Sequence, residues 1–165
     1  LKNPGVESGP GQLTAPNKNR KSKIPQSKIA MTLRLEIVTP EAKIYSDDVE
    51  SVVIPGSEGE LGILPQHVGL MTQLLPGELR ITQKGIESRL AVGEGFVEVT
   101  GEKVAILTDM AVAESDIDET AAEEAVRRAE AAMKEDHLDE EGYAAVQAAL
   151  MNSLAQLKVK RRRPH

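Results

Sequence analysis

The chain of 165 residues contains no cysteine and no tryptophan. Without cysteine there is no disulfide, no thiolate metal site and no cysteine nucleophile, which fits a reducing compartment. Aromatic residues make up only 2% of the chain and reduce to Tyr45, Phe96 and Tyr143. That scarcity argues against a base-stacking platform for nucleic acid. It also leaves the core to aliphatic side chains, the larger of which contribute about 1.5–3 kcal/mol each on full burial. No apolar run approaches the roughly 20 residues that cross a bilayer, and the N-terminus lacks the apolar stretch of a secretory signal. The expectation is a soluble chain with at most a peripheral membrane role.

Catalytic constellations are missing as well. His67, His137 and His165 lie in separate segments, and no two have the spacing of a helical zinc site. Gly93-Glu94-Gly95 lies between two strand patterns and opens no helix, so it is not a dinucleotide fingerprint. No phosphate-binding loop motif occurs, and Ser57 and Ser88 lack a nucleophile elbow. The reading is a chain with no catalytic residue, no metal site and no cofactor.

Charge is present but segregated. The net charge is −6. Six basic residues against Glu7 precede Met31, and Lys158, Lys160, Arg161, Arg162 and Arg163 crowd the C-terminus. The intervening body is strongly acidic. Such ends are suited to electrostatic docking or to solvation. They lack interleaved aromatics, so nucleic acid is not an expected partner.

Four segments follow from composition and period. Residues 1–30 are rich in Pro, Gly, Asn, Ser and Lys without an apolar period, and read as a disordered N-terminal extension. Residues 31–113 read as a β-sandwich or barrel. Leu33, Leu35 and Ile37 alternate with Arg34 and Glu36, Lys84-Gly85 turns the chain, and further short strands follow at near-regular spacing. Residues 114–157 read as an α-helical hairpin. Asp116 with Glu119 resembles a capping box, and Ile117, Ala121, Ala125, Ala129 and Met133 recur at helical spacing over about five turns. Asp139 is placed to cap a second helix with the face Tyr143, Val146, Leu150, Leu154 and Leu157. Residues 158–165 read as a basic C-terminal tail. An Ala-lined pair with a modest apolar seam is expected to detach readily, since isolated helices of this length are marginal.

One stretch is more specific than the rest: Gly56-Ser57-Glu58-Gly59-Glu60-Leu61-Gly62-Ile63-Leu64-Pro65-Gln66-His67-Val68-Gly69-Leu70-Met71-Thr72. Physically it is a glycine-rich turn, a very short strand and a proline-stiffened corner, with Glu60 presented at the turn tip. The segment resembles the signature of the epsilon-subunit family of F-type ATP synthases, whose mitochondrial equivalent is called delta. The longer run LEIVTPEAKIYSDDVESVVIPGSEGELGILPQHVGLMTQLLPGELRI, the strand around Gly93 to Val99 and the helical hairpin extend that resemblance from about Met31 to Val159.

The resemblance implies a β-sandwich followed by a two-helix domain, on the rotating central stalk. The implied partners are the gamma subunit, the ring of c subunits, and the alpha and beta subunits that carry catalysis. The implied role is to couple proton flow to ATP synthesis and to restrain ATP hydrolysis when the hairpin opens. By this likeness Gly59, Glu60 and Leu61 contact the c ring, and Pro65 and His67 contact gamma. Lys158, Lys160, Arg161, Arg162 and Arg163 form an inhibitory tail facing the beta subunit. The implied location is peripheral, on the cytoplasmic face of a bacterial plasma membrane rather than an organellar one.

Some relatives bind ATP through a motif of the form I/L-D-x-x-R-A. Here Ile117 and Asp118 match, Ala121 replaces the arginine, and Arg128 lies further along the helix. Without the guanidinium fork, weak or absent ATP binding is expected. The competing reading is a free-standing nucleotide-sensing or regulatory module of the same fold.

Overall fold

The computed structural model describes residues 32–134 and 138–162. The expected N-terminal extension, His137, Arg163 and His165 lie outside the described residues. Ten strands come first: β1 Leu33–Val38, β2 Lys43–Val49, β3 Ser51–Gly56, β4 Gly59–Ile63, β5 Leu70–Leu74, β6 Gly77–Gln83, β7 Ile86–Val92, β8 Gly95–Thr100, β9 Lys103–Thr108 and β10 Ala111–Ala113. A 3-10 turn, Glu114–Asp116, leads into helices α1 Glu119–Ala132 and α2 Glu140–Arg161.

The strands hydrogen-bond in the order β10-β7-β6-β3-β5-β8-β9-β1-β2, with β4 paired to β3 alone. β3 is the bend of this ribbon. Its start pairs with β6 through Ser51–Val53, and its last residue, Gly56, meets Leu74 of β5. The ribbon thereby folds over itself into a sandwich. All neighbours run antiparallel except β1 and β9, which pair in parallel from Arg34↔Lys103 to Val38↔Leu107.

Alternation decides which side faces in. Leu33, Leu35 and Ile37 are buried, while Arg34 is exposed and Glu36 half-buried. They join Val52, Ile54, Leu79, Ile81, Val97, Val104, Ile106 and their neighbours in one aliphatic core. Tyr45 packs at its margin. The β6–β7 hairpin turns on Lys84 and Gly85, both with positive φ (53° and 75°), as a two-residue loop between right-twisted strands requires.

The hairpin departs from the expected detail. The N-cap of α1 is Asp118, whose carboxylate accepts from the Ala121 N–H at 3.0 Å; Asp116 lies in the preceding 3-10 turn. Asp139 caps α2 by accepting from Gly142 N–H at 2.8 Å. α2 continues through Arg161, so Lys158, Lys160 and Arg161 form its last helical turn rather than a separate tail. Cations there favour the helix C-terminus.

The buried face of α2 also differs from the expected stripe. Leu157 is buried and Val146 and Leu150 are half-buried, but Tyr143 and Leu154 are exposed. Ser153, Ala155 and Val159 are buried instead. α2 packs against α1 and also against β6 and β7, and no single stripe serves two surfaces. Small residues fit where the surfaces converge. Ser153 tolerates burial because its hydroxyl donates to the Ala149 carbonyl at 2.9 Å.

Candidate functional site

Two surfaces hold the residues singled out from the sequence: the β3–β4 edge and the seat of the helical hairpin. At the edge, β3 and β4 join through Ser57-Glu58, with Gly56 opposite Gly59. Gly59 has φ 117°, a conformation open to glycine and rarely to other residues. Glu60 is not at the tip. It lies within β4 opposite Pro55, and its carboxylate reaches across β3 to Arg80 on β6, with Oε2 accepting from Nη2 at 2.7 Å. Leu61 packs on the margin of the core, which fixes the strand that carries Glu60.

Pro65 and His67 lie on the β4–β5 connection, which is pinned by Gln66. The Gln66 N–H donates to the Gly101 carbonyl at 2.9 Å, and its φ is 66°. His67 Nδ1 lies 2.9 Å from the Val68 carbonyl. Leu64 and Val68 beside them are exposed. A second apolar band crosses the outer face of the sheet, where Phe96, Leu107 and Val38 are successive register partners on β8, β9 and β1. Phe96 and Leu107 are exposed. A cleft of about 430 Å³ runs alongside, lined by residues including Pro40, Glu94 and Asp109.

The hairpin is seated at two points. The first is apolar: Val159 of α2 is buried with Ala91 of β7 and Ile117, flanked by Met110 and Val112. This cluster is separate from the sandwich core. The second is polar and terminal. Lys160 Nζ donates to the Glu114 carbonyl at 3.2 Å. Arg161 pairs with Glu119 at 2.7 Å and with Glu123, tying the end of α2 to the start of α1. The hydrogen bond to Glu119 raises the Arg161 pKa above its ordinary value. Arg162 pairs with Glu78 on β6. Lys160, Arg161 and Arg162, expected in a basic C-terminal tail, thus fasten the hairpin, whereas Lys158 is exposed.

Glu78 is the residue that sequence reasoning missed. It lies in the run Pro76-Gly77-Glu78-Leu79, and nothing local marks it. Yet its side chain is 1% exposed. Arg80 Nη1 approaches the oxygen that Arg162 holds, Oε1, at 3.8 Å, while Oε2 has no partner among the described residues. Its partner Arg162 is remote in sequence, so only the fold reveals the pair. A further contact holds the middle of α2 to the sandwich, where Asn152 Nδ2 donates to the exposed Asp109 carboxylate at 2.9 Å. Gly93 leaves the space that Asp109 fills, since a Cβ there would lie 1.8 Å from its Oδ1.

The residues of the ATP motif are used structurally. Ile117 is buried in the hairpin seat, Asp118 is the α1 cap, and Arg128 is exposed on α1. Among the described residues, no group of three His, Asp or Glu side chains gathers as a metal site. No described helix is long and apolar enough to cross a membrane.

Known proteins match along nearly all of this architecture. Residues 32–114 match the family model described as ATP synthase, Delta/Epsilon chain, beta-sandwich domain. Residues 115–161 match the one described as ATP synthase, Delta/Epsilon chain, long alpha-helix domain. The ATP synthase epsilon chain of Halorhodospira halophila is 45% identical over 129 residues, covering 77% of this chain and 91% of the relative. That of Laribacter hongkongensis is 43% identical over 139 residues, covering 81% and 99%. Among solved structures, a chain in the cryo-EM structure of Euglena gracilis mitochondrial ATP synthase (OSCP/F1/c-ring) superposes with a TM-score of 0.65. It is 23% identical and covers 94% of this chain and 88% of that one, a likeness of fold.

Proposed function

The chain belongs to the delta/epsilon family of ATP synthase subunits, and on that premise we propose that it is the non-catalytic rotor subunit of the central stalk. It joins the gamma subunit to the c ring, couples proton flow to ATP synthesis and restrains ATP hydrolysis through its helical hairpin. The assembly is peripheral, on the cytoplasmic face of a bacterial plasma membrane. The proposed units are a sandwich to about residue 113, a hairpin beyond it, and a basic end that acts when the hairpin opens.

The observation that carries this reading is the seat of α2. Its cluster with the sheet contains one Val, one Ala and one Ile, closed by the pair of Arg162 with the buried Glu78 and by the exposed pairs of Arg161 with Glu119 and Glu123. Such pairs are individually worth about 0–1 kcal/mol when exposed. A helix held this way is poised between docked and released states a few kcal/mol apart. Release would free Lys160, Arg161 and Arg162 from their partners, and they then become available, with Lys158 and Arg163, to an acidic segment of the beta subunit. The Gly59–Leu61 edge supports a polar contact with the c ring. The Phe96–Leu107–Val38 band and the exposed side chains around Pro65 and His67 support gamma docking.

Reconstitution tests the reading. The purified chain should bind gamma tightly and lower the rate of ATP hydrolysis by the catalytic complex. Removing residues 158–165 should relieve that restraint, most clearly at low ionic strength. Unchanged hydrolysis across ionic strengths would refute the role of the basic end. A free-standing nucleotide sensor is less well supported, because Ala121 occupies the arginine position and Asp118 is committed to its cap.

A further inference from the structure

We propose that the β3–β4 edge and the end of α2 are coupled through a line of four alternating charges, Glu60–Arg80–Glu78–Arg162. Drawing Glu60 away from Arg80 would then loosen the seat of the C-terminal helix. The proposal rests on the reading of that edge as a contact surface only for the identity of the triggering partner. Its chemistry is a basic group presented to Glu60 by whatever docks there.

The line runs from solvent to interior and back. Glu60 is 51% exposed and Arg80 21%, Glu78 is 1% exposed, and Arg162 is 35% exposed. Arg80 is shared unequally, at 2.7 Å from Glu60 and 3.8 Å from Glu78. Arg162 takes the Glu78 oxygen that Arg80 approaches, and the second oxygen is unpartnered among the described residues. Glu60 therefore holds Arg80 back from a buried carboxylate that Arg162 occupies.

Burial fixes the direction of the response. Glu78 has little water to screen it, so it responds strongly to the position of each guanidinium. When a basic group captures Glu60, Arg80 loses its close partner. The unfilled capacity of Glu78 is then the nearest acceptor. Two guanidinium groups converge on one carboxylate, without the Glu60 charge that offset the first. Arg80 is fixed in β6, whereas Arg162 stands just past the last turn of α2. Arg162 is the one free to leave, and the helix end leaves with it. Coupling of this kind is reciprocal, so release of α2 also strengthens the Arg80–Glu78 contact and frees Glu60 for its partner.

The isolated full chain tests this without any partner, by hydrogen exchange of the α2 amides in wild type, E60Q, R162Q and the double variant. E60Q should raise the opening equilibrium of α2 by about 3-fold, and R162Q by about 10-fold or more. The double variant should match R162Q alone, because the path ends there. In an R80Q background, E60Q should be silent. Additive effects of E60Q and R162Q, an unmoved α2 in E60Q, or an effect of E60Q that survives R80Q would each overturn the proposal. Such a failure leaves the contact assignment of the edge standing, since that is read separately, by cross-linking position 60 within the assembled complex.

Discussion

Val159→Ala is the sharpest probe of how the hairpin is held. Val159 is fully buried, yet it belongs to the small cluster with Ala91 and Ile117, not to the sandwich core. The substitution removes two methyl groups. At about 0.8 kcal/mol per buried carbon the transfer loss is about 1.6 kcal/mol. Ala91 is fixed in a strand and Ile117 precedes a capped helix, so the gap closes only in part, and the total rises to about 2 kcal/mol. At one decade per 1.4 kcal/mol, the docked state is disfavoured about 30-fold. Amide exchange reads this directly. Protection across residues 140–161 should fall by that factor, while β1 and β9 keep theirs. An equal fall in the strands would mean that hairpin and sandwich open as one unit. No change in α2 would mean that its docking does not rest on this seam. Either result refutes the reasoning.

Two other outcomes follow from single positions. ATP should bind with a dissociation constant weaker than about 0.1 mM, equivalent to less than roughly 5.5 kcal/mol of binding free energy; tighter binding by calorimetry would show that Arg128 or another cation substitutes for the arginine absent at position 121. Gly95→Ala should destabilise the sandwich by about 3 kcal/mol, because its Cβ would lie 1.9 Å from the Leu107 carbonyl oxygen and 2.8 Å from Thr108 Cα. These are backbone atoms of the paired strand and cannot rotate away. A urea-unfolding free energy within about 0.5 kcal/mol of wild type would contradict that geometry.

Period and punctuation made most of the strands legible. Leu33, Leu35 and Ile37 alternate with polar residues because one face of β1 meets the core, and Lys84-Gly85 marks a turn because its backbone needs positive φ. The caps were partly legible. Asp139 is readable as a cap, but the local pattern favours Asp116 over Asp118, since a 3-10 turn delays the start of α1. The face of α2 was harder to read, because a helix wedged between α1 and the sheet buries Ser153 and Ala155 as readily as leucine. The β3–β4 edge is visible in the sequence through its glycines, but the engagement of Glu60 is not. Its partner lies two strands away across β3, and the buried Glu78 depends on a residue at the far end of the chain. Ion pairs between distant segments leave no local pattern.

The parallel pairing of β1 with β9 has a consequence for the order in which the molecule assembles. Arg34 finds its register partner only at Lys103, so on the ribosome β1 can pair with β2 long before β9 exists. The sandwich closes late, through a contact of long sequence separation, and such contacts make folding slow. The hairpin is synthesised after every strand it packs on. Its two capped helices form from local bonds on the microsecond scale. Redocking of α2 therefore requires no repetition of the slow closure, and the two halves of the chain run on separate clocks.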